Sequence, residues 1–281
     1  MNKPVIHVFR HEAMATEFQV RIAGEKRAYA EQAAEASFML LDRLEGMLSR
    51  FRETSEISQL ARLRPGETLR LGEPAFACLK IAQQMEAATG GAFAVAAAAL
   101  QTQAELPQCA LNPERFSAQC LRGRLEFDLG AIGKGFALDR MARLLAEWSC
   151  PAHLLVAGGS SILAGAAPAG LPGWSCGLGE DDSPVRYWLT QVSVGGSGLA
   201  VKGEHILDPH TGRPAPRTRR AWALADTAAE ADALSTAAMV LDAAELDAVL
   251  APEPSWLVIL DEPAGLVWRG ARPLPPPVTG G

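Results

Sequence analysis

The sequence lacks several features that would assign it to a common class. No stretch approaches the ~18–20 consecutive apolar residues of a transmembrane helix, so no membrane span is expected. The first residues, MNKPVIHVFRHEAM, contain no apolar run of signal-peptide length, which favours a cytoplasmic location. Lys and Arg (26) are outnumbered by Asp and Glu (32), and the net charge of −6 gives no electrostatic support for a general nucleic-acid role.

Cysteine and histidine are also scarce and widely spaced. The five cysteines form no C-x-x-C pair, so we expect unpaired, mostly buried thiols in a reducing compartment. None of the five histidines has the spacing of a zinc motif. The sequence contains no nucleophile elbow, no paired-carboxylate hydrolase pattern and no reactive-cysteine context.

What is present is the composition of an ordinary globular chain. With 281 residues, 48% of them apolar, it can bury a proper core as one large domain or two small ones. Strand patterns alternate irregularly with amphipathic helices, and several strands are joined as hairpins, which favours an α+β fold with a mixed or antiparallel sheet. Residues 1–272 are expected to form a single unit, and the Pro-rich tail 273–281 should be extended or disordered.

Local periodicity predicts most of the secondary structure. Helices are expected at 30–48, 74–88, 137–148, 228–241 and 243–250, and strands at 5–9, 18–22, 125–129, 153–157, 187–194, 222–225, 256–260 and 266–268. The glycines at 195–198 indicate a flexible turn. The region 101–124 has little periodicity and is expected to be a variable insertion.

The stretch 125–148 is the most informative part of the chain. An apparent strand is followed by a turn rich in glycine with a single cation, Lys134, and then by a helix with one apolar face. Such a turn would present exposed backbone N–H groups where an anion could sit. Its order, G-x-x-G-x-G, is neither the dinucleotide fingerprint nor a P-loop, so a phosphate site and a plain strand–helix connection both remain open.

Two further features could carry chemistry. Asp232 and Thr236 are four residues apart on a predicted helix, so they share a face and offer the hard oxygen ligands that suit Mg²⁺. Such a pair is also common as ordinary helix surface, and two ligands do not complete a site. His205 lies beside the Asp208-Pro209 turn, where it is either a structural or a catalytic histidine.

The amino-acid sequence of the glycine turn is more specific than the spacing of its glycines. Residues 128–139, DLGAIGKGFALD, closely resemble the signature of the ApbE family, the FAD:protein FMN transferases. Other stretches resemble that family's motifs in the same order over about residues 10–245: AMAT at 13–16, a serine-rich loop at 49–60, TGGAF at 89–93, HILDPHTG at 205–212 and ADALST at 231–236.

The resemblance implies a fold and a reaction. The fold would be the ApbE-like, T-fold-related α+β architecture. The reaction would be Mg²⁺-dependent transfer of FMN from FAD, the substrate, to a Ser or Thr hydroxyl of a target flavoprotein, with release of AMP. Two alternatives stay open: an FAD pyrophosphatase that gives FMN and AMP, and a flavin-binding protein without turnover.

The resemblance also implies roles for individual residues. Mg²⁺ would be held by the side chains of Asp232 and Thr236 and by the main-chain carbonyl of Ala131. His205 would be the general base. The contacts to FAD would come from Met14, Phe51, Ala92, Phe93, Ala94, Asp128, Lys134 and Ile206.

The chain departs from the family pattern at several of its polar positions. The positions concerned are Ala61, Ala94, Ser160, Leu199 and Ala200, where the family usually has polar, acidic or aromatic residues. The sequence is therefore interpreted as a divergent member in which the metal ligands are kept and the flavin contacts are partly rebuilt.

Overall fold

A computed structural model describes residues 4–102, 106–178, 185–198, 206–215, 220–263 and 265–278. Within these ranges the α-helices are α1 (Arg27–Leu48), α2 (Glu56–Leu60), α3 (Glu73–Ala88), α4 (Gly133–Glu147), α5 (Ala228–Ala238) and α6 (Ala243–Leu250). A short 3₁₀ helix covers Ala97–Gln101. No helix in these ranges has both the length and the apolar character needed to cross a membrane.

The strands form three antiparallel sheets. The largest has the order β1-β2-β6-β7-β10-β11-β12-β13, a second has the order β3-β5-β4, and β8 pairs with β9 in a separate ribbon. The strands are β1 (Ile6–Ala13), β2 (Thr16–Ala23), β3 (Thr68–Arg70), β4 (Gln108–Asn112), β5 (Ser117–Arg122), β6 (His153–Ala157), β7 (Ser161–Ala164), β8 (Trp174–Leu178), β9 (Val185–Leu189), β10 (Val192–Gly198), β11 (Arg220–Ala225), β12 (Leu257–Glu262) and β13 (Gly265–Arg269). The expected α+β fold with an antiparallel sheet is confirmed.

The middle strands of the large sheet are buried on both faces, because their alternating side chains point into two different apolar clusters. On β6, Leu155 and Ala157 belong to the larger cluster, which also contains the helices, whereas Leu154 belongs to the smaller one. The smaller cluster includes Trp174 and Leu189 of the β8–β9 ribbon, which therefore covers the face opposite the helices.

Helix α5 lies against the sheet with almost no clearance. A Cβ atom on Gly195 of β10 would overlap the carbonyl group of Ala231 and would lie 2.5 Å from the amide nitrogen of Asp232. A Cβ atom on Gly135 of α4 would overlap the carbonyl of Ala228. These glycines are therefore needed for close approach, and the alanines of α5 are small for the same reason.

The expected strand at 125–129 is wrong. The amide of Asp128 donates to the carbonyl of Val95 at 2.7 Å, and the amide of Phe127 donates to the carbonyl of Leu125 at 3.0 Å, so no ladder is formed. Leu125, Phe127 and Leu129 are nevertheless buried. The alternation reflects an extended segment that buries every second side chain without belonging to a sheet.

Two other regions differ from expectation. Residues 195–198 form part of β10 rather than a flexible turn, and Gly195 makes room for α5. The expected single strand 187–194 is two strands, β9 and β10, joined at Thr190 and Gln191. The region 101–124 contains a hairpin, β4–β5, whose register shifts once, between Gln108 and Cys109, despite the weak periodicity of its sequence.

The beginning of the Pro-rich tail is extended and runs beside β9. The amide of Trp188 donates to the carbonyl of Pro276, and the amide of Val278 donates to the carbonyl of Arg186, each at 2.8 Å. These bonds use main-chain groups of the ribbon that would otherwise face solvent.

Gly135→Ala is expected to destabilise the fold by about 1–3 kcal/mol or more, because the added methyl group forces α4 and α5 apart. Gly46→Ala is the matched control, since Gly46 also lies inside a helix but a Cβ atom there meets nothing within 4 Å. That change should stabilise the protein by about 0.5–1 kcal/mol. Urea unfolding of both variants measures the difference, and equal effects would contradict the close approach of the helices.

Candidate active site

The centre of the candidate site is the Asp232 carboxylate, which α5 carries into the interior. Its exposed fraction is 5%. One oxygen, Oδ2, accepts hydrogen bonds from the backbone amide of Gly135 at 2.8 Å and from the hydroxyl of Ser161 at 3.0 Å. Within the described part of the chain, the other oxygen, Oδ1, accepts no hydrogen bond. The carboxylate is thus fixed through one oxygen.

Burial raises the pKa of the Asp232 carboxyl, whereas the positive charge of Lys134 and the hydrogen bonds from Ser161 and Gly135 act in the opposite direction. A buried carboxylate in this position gains stability from any cation that reaches it. Lys134 supplies part of this charge, while its Nζ also donates to the carbonyl of Gly130 at 3.2 Å.

Two other oxygens lie on the segments that meet at Asp232. The hydroxyl of Thr236 is 3.1 Å from the main-chain carbonyl of Asp232 and 3.1 Å from the hydroxyl of Ser197. Ala131 precedes α4, and in a continuous helix its carbonyl would accept from the amide of Gly135. Because that amide donates to Asp232, the carbonyl of Ala131 stays outside the helix ladder.

These oxygen atoms are ligands that suit a hard cation better than a soft one. The set consists of one carboxylate, one hydroxyl and one carbonyl, all oxygen, and Mg²⁺ is commonly held by one or two carboxylates together with substrate phosphates and water. No group of three or more His, Cys, Asp or Glu side chains in the described ranges could hold a metal ion. A site that the protein shares with a phosphate ligand fits the residues present.

The glycine turn does not offer the free amides that its sequence predicts. The amide of Gly130 donates to Asp128 Oδ1 at 2.8 Å, that of Gly133 to the carbonyl of Leu129 at 2.6 Å, and that of Gly135 to Asp232. Gly133 and Gly135 belong to the first turn of α4. The amides of Gly130 and Gly135 bind the carboxylates of Asp128 and Asp232, so this part of the expectation is wrong.

Asp128 and Phe51 are connected through a residue that the sequence does not single out. The guanidinium of Arg50 lies 4.5 Å from the centre of the Phe51 ring, and its Nε is 3.4 Å from Asp128 Oδ2. The Phe51 ring itself is 81% exposed. The aromatic ring and the carboxylate are therefore held beside each other with the ring open to a ligand.

The serine-rich loop around Phe51 is held in shape by its own hydroxyl groups. Ser55 Oγ donates to the carbonyl of Ser49 at 2.5 Å, and Ser58 Oγ donates to the carbonyl of Arg50 at 3.0 Å. Ser55 also caps α2 by accepting the amide of Ser58. The hydroxyls thus keep Phe51 at the surface of a well-ordered turn.

Met14 lies at the tip of the β1–β2 hairpin, close to the same loop. Its backbone has a φ of 50°, as a tight hairpin turn requires, and its amide donates to Glu45 Oε1 at 3.1 Å. The other oxygen of Glu45 accepts from Arg52 at 2.9 Å. Glu45 therefore joins the hairpin tip to the loop that carries Phe51.

The remaining predicted flavin contacts lie in and beside the loop after α3. Ala92 and Phe93 are buried and Ala94 is half-buried, and the amide of Phe93 donates to the hydroxyl of Thr89 at 3.2 Å. The next residue, Val95, accepts the amide of Asp128. Ile206 is buried in the same apolar cluster as Ala92 and Phe93, and its carbonyl accepts the amide of Ala215.

The Asp208 turn is fixed against this loop. Burial raises the pKa of the Asp208 carboxyl, but the hydrogen bonds from His210 and Thr211 and the charge of His210 together lower it below its ordinary value. Nε2 of His210 is 3.1 Å from the carbonyl of Gly90. His205, the predicted base, lies outside the described residues, as do Leu199 and Ala200.

A cavity of about 540 Å³ opens beside the loop after α3. It is lined by Gly90, Gly91, Val95 and Phe127 on one side and by β4 on the other. The lining is mostly apolar, and Phe127 precedes Asp128, so the cavity adjoins the Asp128 end of the candidate site.

The sequence analysis did not single out several residues that shape the site: Glu45, Arg50, Asp139 and Ser161. Asp139 has the largest structural effect. Its two carboxylate oxygens accept the amides of Ala228 and Ala229 at 2.8 and 2.9 Å, which fixes the start of α5. The only sequence signal for it is its place at the end of the DLGAIGKGFALD stretch.

Comparison with known proteins gives one family. A sequence model described as the ApbE family matches residues 14–259. A protein of Escherichia coli K12 named FAD:protein FMN transferase is 30% identical over 131 residues, covering 42% of this chain and 37% of that protein. A Treponema pallidum protein of the same name is 28% identical over 146 residues, covering 44% and 40%. These alignments span less than half of each relative's length.

Solved structures share the fold over almost the whole chain. The flavin transferase ApbE from Vibrio cholerae superposes with a TM-score of 0.82 at 18% identity, covering 96% of this chain and 98% of that one. The ApbE protein from Thermotoga maritima gives 0.80 at 22% identity, covering 95% and 97%. At these identities the likeness shows a common fold, and it confirms the expected architecture.

The Asp139 carboxyl should make stability depend on pH. Burial raises its pKa to about 7, the hydrogen bonds from Ala228 and Ala229 lower it, and the nearby charges of Asp232 and Glu230 raise it. Because the folded state then favours the protonated form, stability from this group should be lost as the pH rises from about 4 towards about 7.

Urea unfolding of the wild type and of Asp139→Asn between pH 5 and 8 tests this expectation. The variant carries no titrating group at this position, so the stability of the wild type should fall relative to that of the variant as the pH rises. Two profiles that run parallel over this range would show that Asp139 is ionised throughout.

Proposed function

The chain belongs to the ApbE family, and we propose that it transfers FMN from FAD to a Ser or Thr hydroxyl of a target flavoprotein, with Mg²⁺ as cofactor and AMP as product. The observation that carries this proposal is that the buried carboxylate of Asp232, on the helix that also carries Thr236, is held through one oxygen by the Gly135 amide and the Ser161 hydroxyl. The relatives named FAD:protein FMN transferase support the choice of substrate and acceptor.

The reaction is a transfer at phosphorus. The acceptor oxygen forms a bond to the phosphorus of the FMN part of FAD, the bond from that phosphorus to the bridging oxygen breaks, and AMP leaves with the electron pair. The acceptor hydroxyl must lose its proton, since an alcohol is a poor nucleophile until it is deprotonated. His205 is the candidate group that accepts this proton.

Asp232, Thr236 and Ala131 would hold the metal ion. When bound, Mg²⁺ supplies charge compensation at the pyrophosphate and polarises the bond that breaks. The hydrogen bonds from Gly135 and Ser161 keep the Asp232 carboxylate in a single orientation before any ligand arrives. Lys134 adds a second positive charge next to the same carboxylate. A chain with a net charge of −6 needs such local compensation to bind a pyrophosphate.

The flavin would be bound on the side of Asp128 and Phe51. The exposed Phe51 ring offers a flat apolar surface, and Arg50 fixes it beside the Asp128 carboxylate. Met14 and the loop 92–94 would complete this side, with the hairpin tip tied to the Phe51 loop through Glu45.

Incubation of the protein with FAD, Mg²⁺ and a threonine-containing acceptor tests the proposal. Mass spectrometry should find the acceptor heavier by one FMN moiety, and chromatography should find AMP in equal amount. AMP and free FMN without a modified acceptor would instead indicate a pyrophosphatase. Bound FAD that stays intact would indicate a flavin-binding protein without turnover, and either result would overturn the transfer reaction.

Asp232→Asn should reduce Mg²⁺-dependent turnover of FAD by about 100-fold or more, because the amide keeps the size of the side chain but loses the charge that holds the metal. Thr236→Val removes a neutral hydroxyl and should give a smaller defect. Turnover is measured against Mg²⁺ concentration, with circular dichroism as the check on folding. Turnover at the wild-type rate in both variants would show that Asp232 and Thr236 are ordinary residues of the helix and do not hold a metal ion.

His205→Asn should slow transfer by about 10²–10⁴-fold and leave FAD affinity nearly unchanged, because a general base acts on the incoming hydroxyl rather than on the pyrophosphate. The wild-type rate should also fall at pH values where the imidazole is protonated. Transfer rate and FAD affinity are measured on the same preparation. A parallel loss of both would make His205 a binding residue instead.

A further inference from the structure

Two of the five cysteines face each other across a hairpin. Cys109 lies on β4 and Cys120 on β5, and the register of the two strands makes them direct cross-strand partners. Residues opposite each other in an antiparallel pair point to the same face, and here both side chains point towards the main apolar cluster. Their separation in sequence hides this pairing, because it matches no cysteine motif.

The backbone hydrogen bonds identify the type of pair. The amide of Cys120 donates to the carbonyl of Glu67 at 3.0 Å, and its carbonyl accepts the amide of Gly66 at 2.7 Å. Both main-chain groups of Cys120 are therefore directed away from β4, which makes Cys109 and Cys120 a non-hydrogen-bonded pair. The register shifts between Gln108 and Cys109, so the pair lies beside an irregularity of the ladder. In a regular ladder the Cα atoms of such pairs are about 4.5 Å apart, near the lower end of the range of about 4.4–6.8 Å that a disulfide spans.

Both groups are free thiols in the structure. Cys120 Sγ is 3.3 Å from the carbonyl of Gly123, and Cys109 Sγ is 3.9 Å from that of Ala110. Burial raises the pKa of both thiols, and burial together with the nearby Cys120 raises that of Cys109 to about 11. Little thiolate is present at neutral pH, so any reaction of the pair is slow.

We propose that Cys109 and Cys120 form a reversible disulfide, with a low-molecular-weight disulfide such as oxidised glutathione as the oxidant. Cys109 is the attacking group, because it is half-buried whereas Cys120 has no exposed surface. The cavity beside Cys109 provides the approach for a small molecule.

The exchange is balanced in two steps. The Cys109 thiolate attacks one sulfur of the oxidised glutathione, which forms a mixed disulfide and releases one glutathione thiolate. The Cys120 thiolate then attacks Cys109 Sγ, which forms the protein disulfide and releases the second glutathione. The two protons lost by the protein thiols are taken up by the two glutathione thiolates, so the protein dithiol is oxidised and one glutathione disulfide is reduced.

The disulfide would affect only the wall of the cavity beside the candidate site. Gln108, Cys109 and Leu111 of β4 line the cavity opposite Gly90 and Gly91. A covalent link from β4 to β5 ties this wall to the strand that pairs with β3. Oxidation would therefore fix one wall of the cavity without touching the Asp232 site.

The test uses the full-length wild-type protein, equilibrated in glutathione buffers from fully reduced to strongly oxidised. Remaining thiols are then alkylated, and the digest is analysed by mass spectrometry. The expected product is a peptide pair joined through Cys109 and Cys120, two hydrogens lighter than the separate peptides and split again by dithiothreitol. Cys176 is the matched internal control, since it also lies in a hairpin and burial raises its pKa to about 11, but it faces Tyr187.

Cys176 should stay available for alkylation after denaturation under every condition. Cys109→Ser, a change at the half-buried partner, should abolish the cross-link and leave Cys120 as a free thiol. A glutathione adduct on Cys109 that persists without cross-linking, or alkylation of both cysteines in wild-type protein at every glutathione ratio, would overturn the proposal.

Discussion

The arrangement of the site depends on one buried interaction, the pair of hydrogen bonds from the Gly135 amide and the Ser161 hydroxyl to Asp232 Oδ2. It joins the start of α4, the start of β7 and the middle of α5 at a single carboxylate. A buried carboxylate without hydrogen-bond partners would cost several kcal/mol. The three elements are therefore held in positions where the amide of Gly135 and the hydroxyl of Ser161 reach the Asp232 carboxylate. Gly135 and Gly195 are glycines because no side chain fits between these elements and α5.

The same interaction fixes the position of α5, the helix that carries both Asp232 and Thr236. Asp139 accepts the first amides of that helix, and Thr227 caps it by accepting the amide of Glu230. These bonds fix where the helix begins and therefore where the side chains of Asp232 and Thr236 lie. The flavin side is built differently. There, Arg50 and Glu45 connect surface loops by exposed or half-exposed charge pairs, which are weak and can rearrange around a ligand.

Local sequence accounts for most elements but for few of the contacts between them. The β1–β2 hairpin, α1, α3, β6 and the Asp242–Glu245 capping box of α6 follow from periodicity and caps within a few residues. The segments 125–129 and 195–198 were assigned wrongly because burial against distant elements decides their conformation. The spacing of Asp232 and Thr236 predicted that they share a helix, which α5 confirms. It gave no sign of the contacts from Gly135 and Ser161, which lie 97 and 71 residues away from Asp232.

The alanine content of α5 has a further consequence, for the interpretation of mutational scans. Ala228, Ala229, Ala231, Ala233 and Ala237 have no exposed surface, and glycines face the helix from two sides. Almost every substitution of these alanines adds atoms where the neighbouring elements leave no room, so the resulting defects come from overpacking rather than from cavities. A scan of α5 would find intolerance along nearly its whole length. Intolerance to substitution therefore cannot distinguish a ligand-binding position of this helix from a merely crowded one, and measurements that separate folding from turnover are needed to tell them apart.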